Sequence, residues 1–537
     1  MSTGSVIVNN IKLPVNASYI EAFSVARSKL LKVGISLSDV KLSVYRRSVD
    51  ARRKDDIAFV YSILADGVCG VSDEVLARHG VSRLVCETPK IDIGSFPLDA
   101  PPIVVGSGPC GLFAALVLAE NGYNPVLLER GGDVAERQRA VEILKKFRIL
   151  NPDTNIQFGA GGAGTFSDGK LVTRINDPMS AYVIQRFIEF GAPEEIAYIA
   201  KPHIGTDILS RVVENMVLRI RQLGGTVLFN TKLVGLDVSG SKIVGVKTSR
   251  GDMQAGAIIL AIGHSARDTY EYLFSHGVAV EAKPFSVGMR IEHLADDIDR
   301  SLYGKMAGNP KLGRAEYNLS YDTKNRGVYT FCMCPGGVVV PATSEENGVV
   351  VNGMSYSGRD GNNSNSAVVC SIFKEDYGAT PQAAIEFQRK IERAAFITGG
   401  SDYSAPIVTV GDFFDGVAKT SPRRIIPSYM DGVGTKIAQP TDYLPSSVAS
   451  QIKNAIGFFD KKIAGFAASD AVLTGPETRT SAPVRITRNP DTRLALGYNN
   501  FYPAGEGAGY AGGITSAAID GVRTAMALIK EFAPHHG

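Results

Sequence analysis

Residues 103–111 read Ile103-Val104-Val105-Gly106-Ser107-Gly108-Pro109-Cys110-Gly111, and Leu112 to Glu120 follow as an apolar helical segment. An apolar strand, a glycine turn and a helix start thus succeed one another without a break. In this G-x-G-x-x-G spacing Gly106 permits the tight turn, Gly108 lets the backbone approach a pyrophosphate, and Gly111 lets helix and strand pack closely. The helix opening at Pro109 and Cys110 adds unpaired N–H groups and a favourable dipole. Val126-Leu127-Leu128 then supplies a second strand ending in Glu129 and Arg130, about 20 residues on, where a carboxylate can accept hydrogen bonds from a ribose diol. A bare glycine motif is weak evidence, but strand, turn, helix, second strand and terminal acid together predict a dinucleotide site.

Further along, Thr226–Asn230, Leu233–Val238, Ile243–Thr248 and Gln254–Ile262 read as short strands with a meander among them, closing on Gly263. Leu233 and Gly263 sit at strand ends where a bound nucleotide is expected. Near the C-terminus, Phe501-Tyr502-Pro503-Ala504-Gly505-Glu506-Gly507 leads to Gly512-Gly513-Ile514 at the start of a helix. In these three separated places the chain resembles the glutathione-reductase-like FAD-binding fold. That resemblance implies FAD as cofactor. It also implies an acid at Glu506 that holds the ribityl chain, and a helix after Gly512, Gly513 and Ile514 whose dipole stabilises reduced flavin.

Upstream, residues 1–98 read as a small unit of their own. Ser18-x-x-Glu21 has capping-box spacing, and Ile20, Phe23 and Leu30 follow at helical intervals before Gly34. Val40, Leu42 and Val44 alternate, as do Ile57, Phe59, Tyr61 and Ile63, and Ser72 to His79 reads as a short helix before a strand near Leu84. The order βαββαβ predicts a ferredoxin-like layer. A proline-rich linker from Ile91 to Pro102 follows.

Composition narrows the class. The chain has 537 residues, 44% of them hydrophobic, and a net charge of +3. These values fit a soluble chain of several domains and argue against nucleic acid as a whole-surface partner. Six cysteines, Cys69, Cys86, Cys110, Cys332, Cys334 and Cys370, are too sparse for a disulfide framework, and no C-x-x-C suggests zinc. No cationic leader or apolar run long enough to span a membrane is evident, so a cytoplasmic location is expected.

Longer strings carry a closer resemblance. They are Ser48 to Lys54, Phe158 to Lys170, Gly263 to Asp268, Phe331 to Gly337, Asn352 to Ser355 and Gly475 to Thr480. Over nearly its whole length the chain resembles the NAD(P)/FAD-dependent oxidoreductase (FAD-dependent dehydrogenase) family. Ala160 departs from the acidic residue more usual there. The resemblance implies FAD and redox activity and leaves the substrate open. The run Gly159 to Gly164 also fits G-x-G-x-x-G, yet no strand leads into it; Gly161, Gly162, Gly164 and Thr165 are better read as backbone close to pyrophosphate and flavin.

Four side chains are catalytic candidates. Lys170 reads equally as a cation near the flavin or a solvated lysine. His264, just after a strand, is a candidate for proton transfer, although a lone histidine is more often structural. Cys332 and Cys334 alternate on a predicted strand and would face the same way. They read as redox thiols or, better, as buried strand cysteines. Arg46, Arg47, Arg52, Arg53 and Lys54 read as a solvated face or a domain contact.

The fold class expected is α/β: a Rossmann-type FAD domain at 99–280 and 480–537, split by an inserted α+β substrate domain at 281–479. The expected function is hydride transfer between flavin N5 and a small-molecule substrate, with a redox partner or transient NAD(P)H as further participants. No second nucleotide motif is visible for a dedicated nicotinamide domain. A flavin monooxygenase is disfavoured because the acid motif lacks a His-Pro continuation. The alternative is an FAD-containing RNA-modifying or assembly protein using its N-terminal unit for binding.

Overall fold

The expected capping box forms. Ser18 Oγ accepts from Ile20 N–H and Glu21 reaches back to the Ser18 N–H, starting helix α1 (Tyr19–Lys32). The computed structural model describes residues 4–68, 72–84, 91–171, 177–323 and 326–535; Cys69, Cys86 and Pro89 lie outside them. Strands β1 (Gly4–Pro14), β2 (Lys41–Asp50), β3 (Ala58–Val68) and β4 (Val81–Arg83) form a sheet in the order β2-β3-β1-β4, with helix α2 (Asp73–Arg78) between β3 and β4. Each pair of neighbouring strands in it is antiparallel. Within the basic group, Arg47 packs against the segment around Tyr198. Its N–H donates to Tyr198 O at 2.7 Å, and its guanidinium lies over the Phe59 and Tyr198 rings. Arg52 pairs with Asp50 at 2.7 Å.

The glycine-turn segment builds the centre of a five-stranded parallel sheet. Its order is Phe501–Pro503, Ile258–Leu260, Ile103–Val105, Val126–Leu128, Thr226–Leu228. These short strands are almost wholly buried, as a parallel sheet covered on both faces requires. Helix α3 (Pro109–Glu120) is apolar nearly all round and packs against the last helix, Ile514–Glu531. The approach is close: a Cβ on Gly521 would meet Cys110 O at 2.1 Å. The C-terminal segment therefore completes both sheet and helix layer of a fold begun four hundred residues earlier.

An antiparallel meander, Leu233–Ser239, Lys242–Thr248 and Gly251–Gln254, covers the other face. The expected single strand Gln254–Ile262 is in fact divided. The chain leaves the meander after Gln254 and enters the parallel sheet at Ile258, passing Gly256 so close to Ala100 O that a Cβ would sit 2.2 Å away.

A seven-stranded, mostly antiparallel sheet follows, ordered Ser320–Asp322, Gly327–Cys334, Asn363–Ile372, Phe285–Leu294, Val472–Glu477, Ala405–Thr409, Thr435–Ile437. Its apolar residues share one continuous core with those of β1–β4. The linker is tied to the chain end: Phe96–Pro97 pairs with Phe532–Ala533, and Gly94 N–H donates to Ile529 O. Among the described residues no helix is long and apolar enough to cross a membrane.

Candidate active site

The glycine turn is held open from below. Gly106 has φ +100°, a conformation that L side chains rarely adopt, and a Cβ there would strike Ala261 O at 2.3 Å. Gly111 is more crowded, its Cβ position lying 1.8 Å from Gly106 O. Gly108 differs, because a Cβ would meet only Gly162 Cα at 3.9 Å. Two of the glycines thus serve the fold, while the third leaves space beside the helix opening.

That space is part of a cavity of about 400 Å³ lined from several elements at once. Gly106, Gly108, Pro109 and Cys110 form its floor, and Gly162 and Gly164 lie over them. Glu129, Arg130 and Leu233 line one part; Glu506, Gly512, Gly513 and Ile514 line another. Gly263, His264, Lys170 and Cys332 also reach the wall. Of the expected residues, Gly111, Gly161, Thr165, Cys334 and Gly505 stand behind it. The run Gly162–Phe166 is a short 3-10 helix with no strand before it, and Gly161 N–H donates to Ser107 O at 3.0 Å, pinning it to the turn.

Glu129 is already engaged. One carboxylate oxygen accepts from Ser107 N–H and Oγ at 2.8 and 2.7 Å, and the other from Gly131 and Gly159 N–H at 2.9 and 3.0 Å. Four donors occupy the lone-pair sites that a carboxylate offers, so its visible work is to clamp the turn to the Gly159 loop. Arg130 beside it pairs with Asp268 at 2.9 Å and lies over the Phe158 ring.

Glu506 contrasts with Glu129. Its carboxylate has no hydrogen-bond or ion-pair partner among the described residues, and burial pushes it up to about 7, with Lys283 opposing. Asp520, in the final helix, accepts from Gly505 N–H at 2.8 Å and pairs with Arg488 and Arg493 at 2.7 Å, fixing the turn that presents Glu506. The helix starts at Pro109 and Ile514 both lack a side-chain cap, and Cβ positions on Gly512 and Gly513 meet nothing within 4 Å. Two uncapped helix openings, an unpartnered acid and glycines bordering free space suit a dinucleotide, so the residues fit FAD.

The remaining wall is polar. Lys170 is not free: its Nζ binds Asp168 at 2.6 Å and also Met333 O. Asp168 shares its oxygen with Arg359, which continues to Glu316. His264 is held neutral, lowered to about 3 by burial and then by Arg479 and Arg267, and its Nδ1 lies 2.9 Å from Ser265 Oγ. A neutral imidazole keeps one N–H, so His264 offers one donor and one acceptor and is a weaker acid than an imidazolium.

Residue-by-residue reading of the sequence missed several groups here. Arg290 and Glu477 form a buried two-point ion pair at 2.5 and 3.1 Å, with Arg290 also donating to Asn352 and Asn365. Burial pushes Glu477 up to about 7 although Arg290 opposes it. Arg267 and Arg479 converge on buried Glu392 at 2.7 and 3.0 Å, joining the parallel-sheet unit to the helix Pro381–Thr398. The strings Asn352 to Ser355 and Gly475 to Thr480 held some of these residues; Arg290 had no local signal.

Comparison with known proteins finds two FAD-related families along the chain. Residues 99–147 match a family described as "FAD binding domain", and residues 284–480 match "FAD-dependent protein, C-terminal domain-like". An "Uncharacterized protein" of Clostridium beijerinckii is 44% identical over 534 residues, covering 98% of each chain. Among solved structures, FqzB is 12% identical, covering 81% of this chain and 77% of its own, with TM-score 0.33. L-proline dehydrogenase from P. horikoshii is 12% identical, covering 80% and 93%, with TM-score 0.33.

Proposed function

The chain belongs to a family of FAD-dependent oxidoreductases, and from that premise we propose that it oxidises or reduces a small polar molecule held between the glycine turn and the seven-stranded sheet. The observation that carries this reading is one cavity shared by the dinucleotide floor and the wall of Lys170, His264, Cys332, Glu477 and Arg479. Bound FAD supplies two-electron, hydride-level chemistry at N5.

The residues around it have separable tasks. Gly108 and the helix openings at Pro109 and Ile514 receive the pyrophosphate and the flavin edge. Glu506 holds the ribityl chain. Glu477, a buried carboxylate that burial pushes up against the two-point pull of Arg290 and that lines the cavity, is the group suited to hold or move a proton. Lys170, fixed by Asp168, orients the substrate and contributes positive charge. Neutral His264 accepts or relays a hydrogen bond. NAD(P)H serves as a transient donor.

We read residues 99–280 and 480–537 as the cofactor domain, 281–479 as an inserted substrate domain, and 1–98 as a ferredoxin-like appendage. The β4-β1-β3-β2 order and the contact through Arg47 support the last assignment. The reading is tested by anaerobic mixing of the purified yellow protein with NADH, NADPH and a panel of small metabolites. Bleaching of the flavin by a panel member supports it. A colourless protein that takes up no added FAD would sink it.

A further inference from the structure

The strand Gly327–Cys334 carries an irregularity that the cofactor reading leaves unused. Phe331 pairs with Ala367 and Cys334 with Asn365, so an extra residue is inserted between them. The expected alternation of Cys332 and Cys334 is thereby broken. Cys332 sits at φ +44°, uncommon for a non-glycine residue, and lies partly exposed on the cavity wall. Cys334 is fully buried behind it, and its thiol lies 3.2 Å from the Cys332 carbonyl, to which it donates.

Two cations lie beside the pair, each also paired with a carboxylate, Arg290 with Glu477 and Lys170 with Asp168. Arg290 Nη1 donates to Cys332 O at 2.7 Å and lies 3.8 Å from Cys334 Sγ. Lys170 binds the carbonyl of Met333, between the two cysteines. Interaction with the Cys334 thiol holds the Cys332 thiol below its ordinary range against burial, and Arg290 and Lys170 add to that effect. Burial pushes Cys334 the opposite way. Passive core cysteines would explain Cys334. They do not explain a strained backbone that turns Cys332 onto the cavity between two cations.

We propose that Cys332 and Cys334 form a redox-active dithiol acting on a small polar disulfide, with Cys332 attacking and Cys334 resolving. The proposal deepens the oxidoreductase reading and rests on it for the source of electrons. The Cys332 thiolate attacks one sulfur of R–S–S–R, forming a Cys332–S–S–R bond as the substrate bond breaks, and the departing RS⁻ takes up the proton that Cys332 had released. Cys334 then attacks the Cys332 sulfur and displaces the second RS⁻, which receives the Cys334 proton. Two RSH and a Cys332–Cys334 disulfide result, and two electrons have passed to the substrate. Reduced flavin is the reductant that, with two protons, restores the dithiol. Lys201, Glu316, Asn318 and Asn352 around the cavity suit polar substituents on R.

Tryptic peptide Gly327–Arg359 contains these two cysteines and no other, which permits a test independent of turnover. The holoenzyme is treated anaerobically with hydroxyethyl disulfide, quenched in acid, alkylated and digested. Wild-type peptide should be two hydrogens lighter, without adduct or alkylation. Cys334→Ser should retain one hydroxyethylthio adduct on Cys332, and Cys332→Ser should form adduct roughly tenfold or more slowly. Two free thiols or two adducts in wild type, or wild-type rates in Cys332→Ser, overturn the proposal. Flavin absorbance of the same sample separates the readings. Lost exchange in a flavin-replete chain overturns the dithiol; intact exchange in a chain that cannot bind flavin overturns the oxidoreductase reading instead.

Discussion

Gly108 and Gly162 face each other across the cofactor floor so closely that a Cβ on Gly162 would lie 2.9 Å from Gly108 Cα, whereas one on Gly108 would lie 3.9 Å from Gly162 Cα. The asymmetry makes Gly108 a clean probe. Its φ is −68°, open to any residue, and a methyl there contacts the protein at ordinary van der Waals distance.

Gly108→Ala should therefore fold like wild type while losing FAD, because the methyl occupies space that the pyrophosphate needs. Gly111→Ala should fail earlier, at folding, since its Cβ would sit 1.8 Å from Gly106 O. Thermal melts of the apoproteins, paired with flavin absorbance, distinguish the two. Full flavin occupancy in Gly108→Ala would count against the motif assignment.

Glu506 gives a second test. If it holds the ribityl chain, Glu506→Ala should weaken FAD binding by about 1–3 kcal/mol, the scale of a hydrogen bond to a charged group. That is roughly a five- to two-hundred-fold rise in Kd, measurable by fluorescence titration of the apoprotein. Its folded pKa of about 7 lies above the ordinary 4.5 because of burial. The folded chain therefore binds the proton more tightly than the unfolded one, and this site's contribution to apoprotein stability falls as pH rises from 4.5 through 7. Glu506→Gln should flatten that fall. An unchanged Kd in Glu506→Ala would remove the residue from the cofactor site.

What the sequence revealed follows from the range of each signal. Gly106, Gly108, Gly111 and Gly512-Gly513 announce themselves because turn chemistry is local, and Glu506 lies within the same short string. The Arg290–Glu477 and Arg267–Glu392 pairs join residues 187 and 125 positions apart, so neither partner signals the other along the chain. The bulge at Cys332 escapes for another reason. Side-chain alternation assumes one residue opposite one residue, and an inserted residue shows only in the partner strand's register. Glu129 stands at its strand end as read, but of the donors that fill it two come from Ser107 in the turn, one from Gly131 just beyond it, and one from Gly159 in a loop thirty residues away.

Asp520 supplies the last prediction, for acid stability. It shares its side of the final helix with Ala517 and Thr524, and its carboxylate's partners all lie outside that helix. Burial alone would raise its pKa. Hydrogen bonds and charge from Arg488, then Arg493 and the Gly505 amide, outweigh burial and lower it from 3.8 to about 2. A depressed folded pKa means stability that is present above 3.8 and lost as pH falls toward 2. The shift corresponds to about 2 kcal/mol. Asp520→Asn should thus be destabilised by about 2 kcal/mol at pH 7 and should lose part of the wild-type decline between about pH 4 and 2, as followed by urea unfolding across that window. The Gly505 turn should loosen with it, so FAD affinity in Asp520→Asn should fall in the same direction as in Glu506→Ala. Wild-type pH dependence together with wild-type FAD affinity in this variant would show that the Asp520–Gly505 hydrogen bond does not position Glu506.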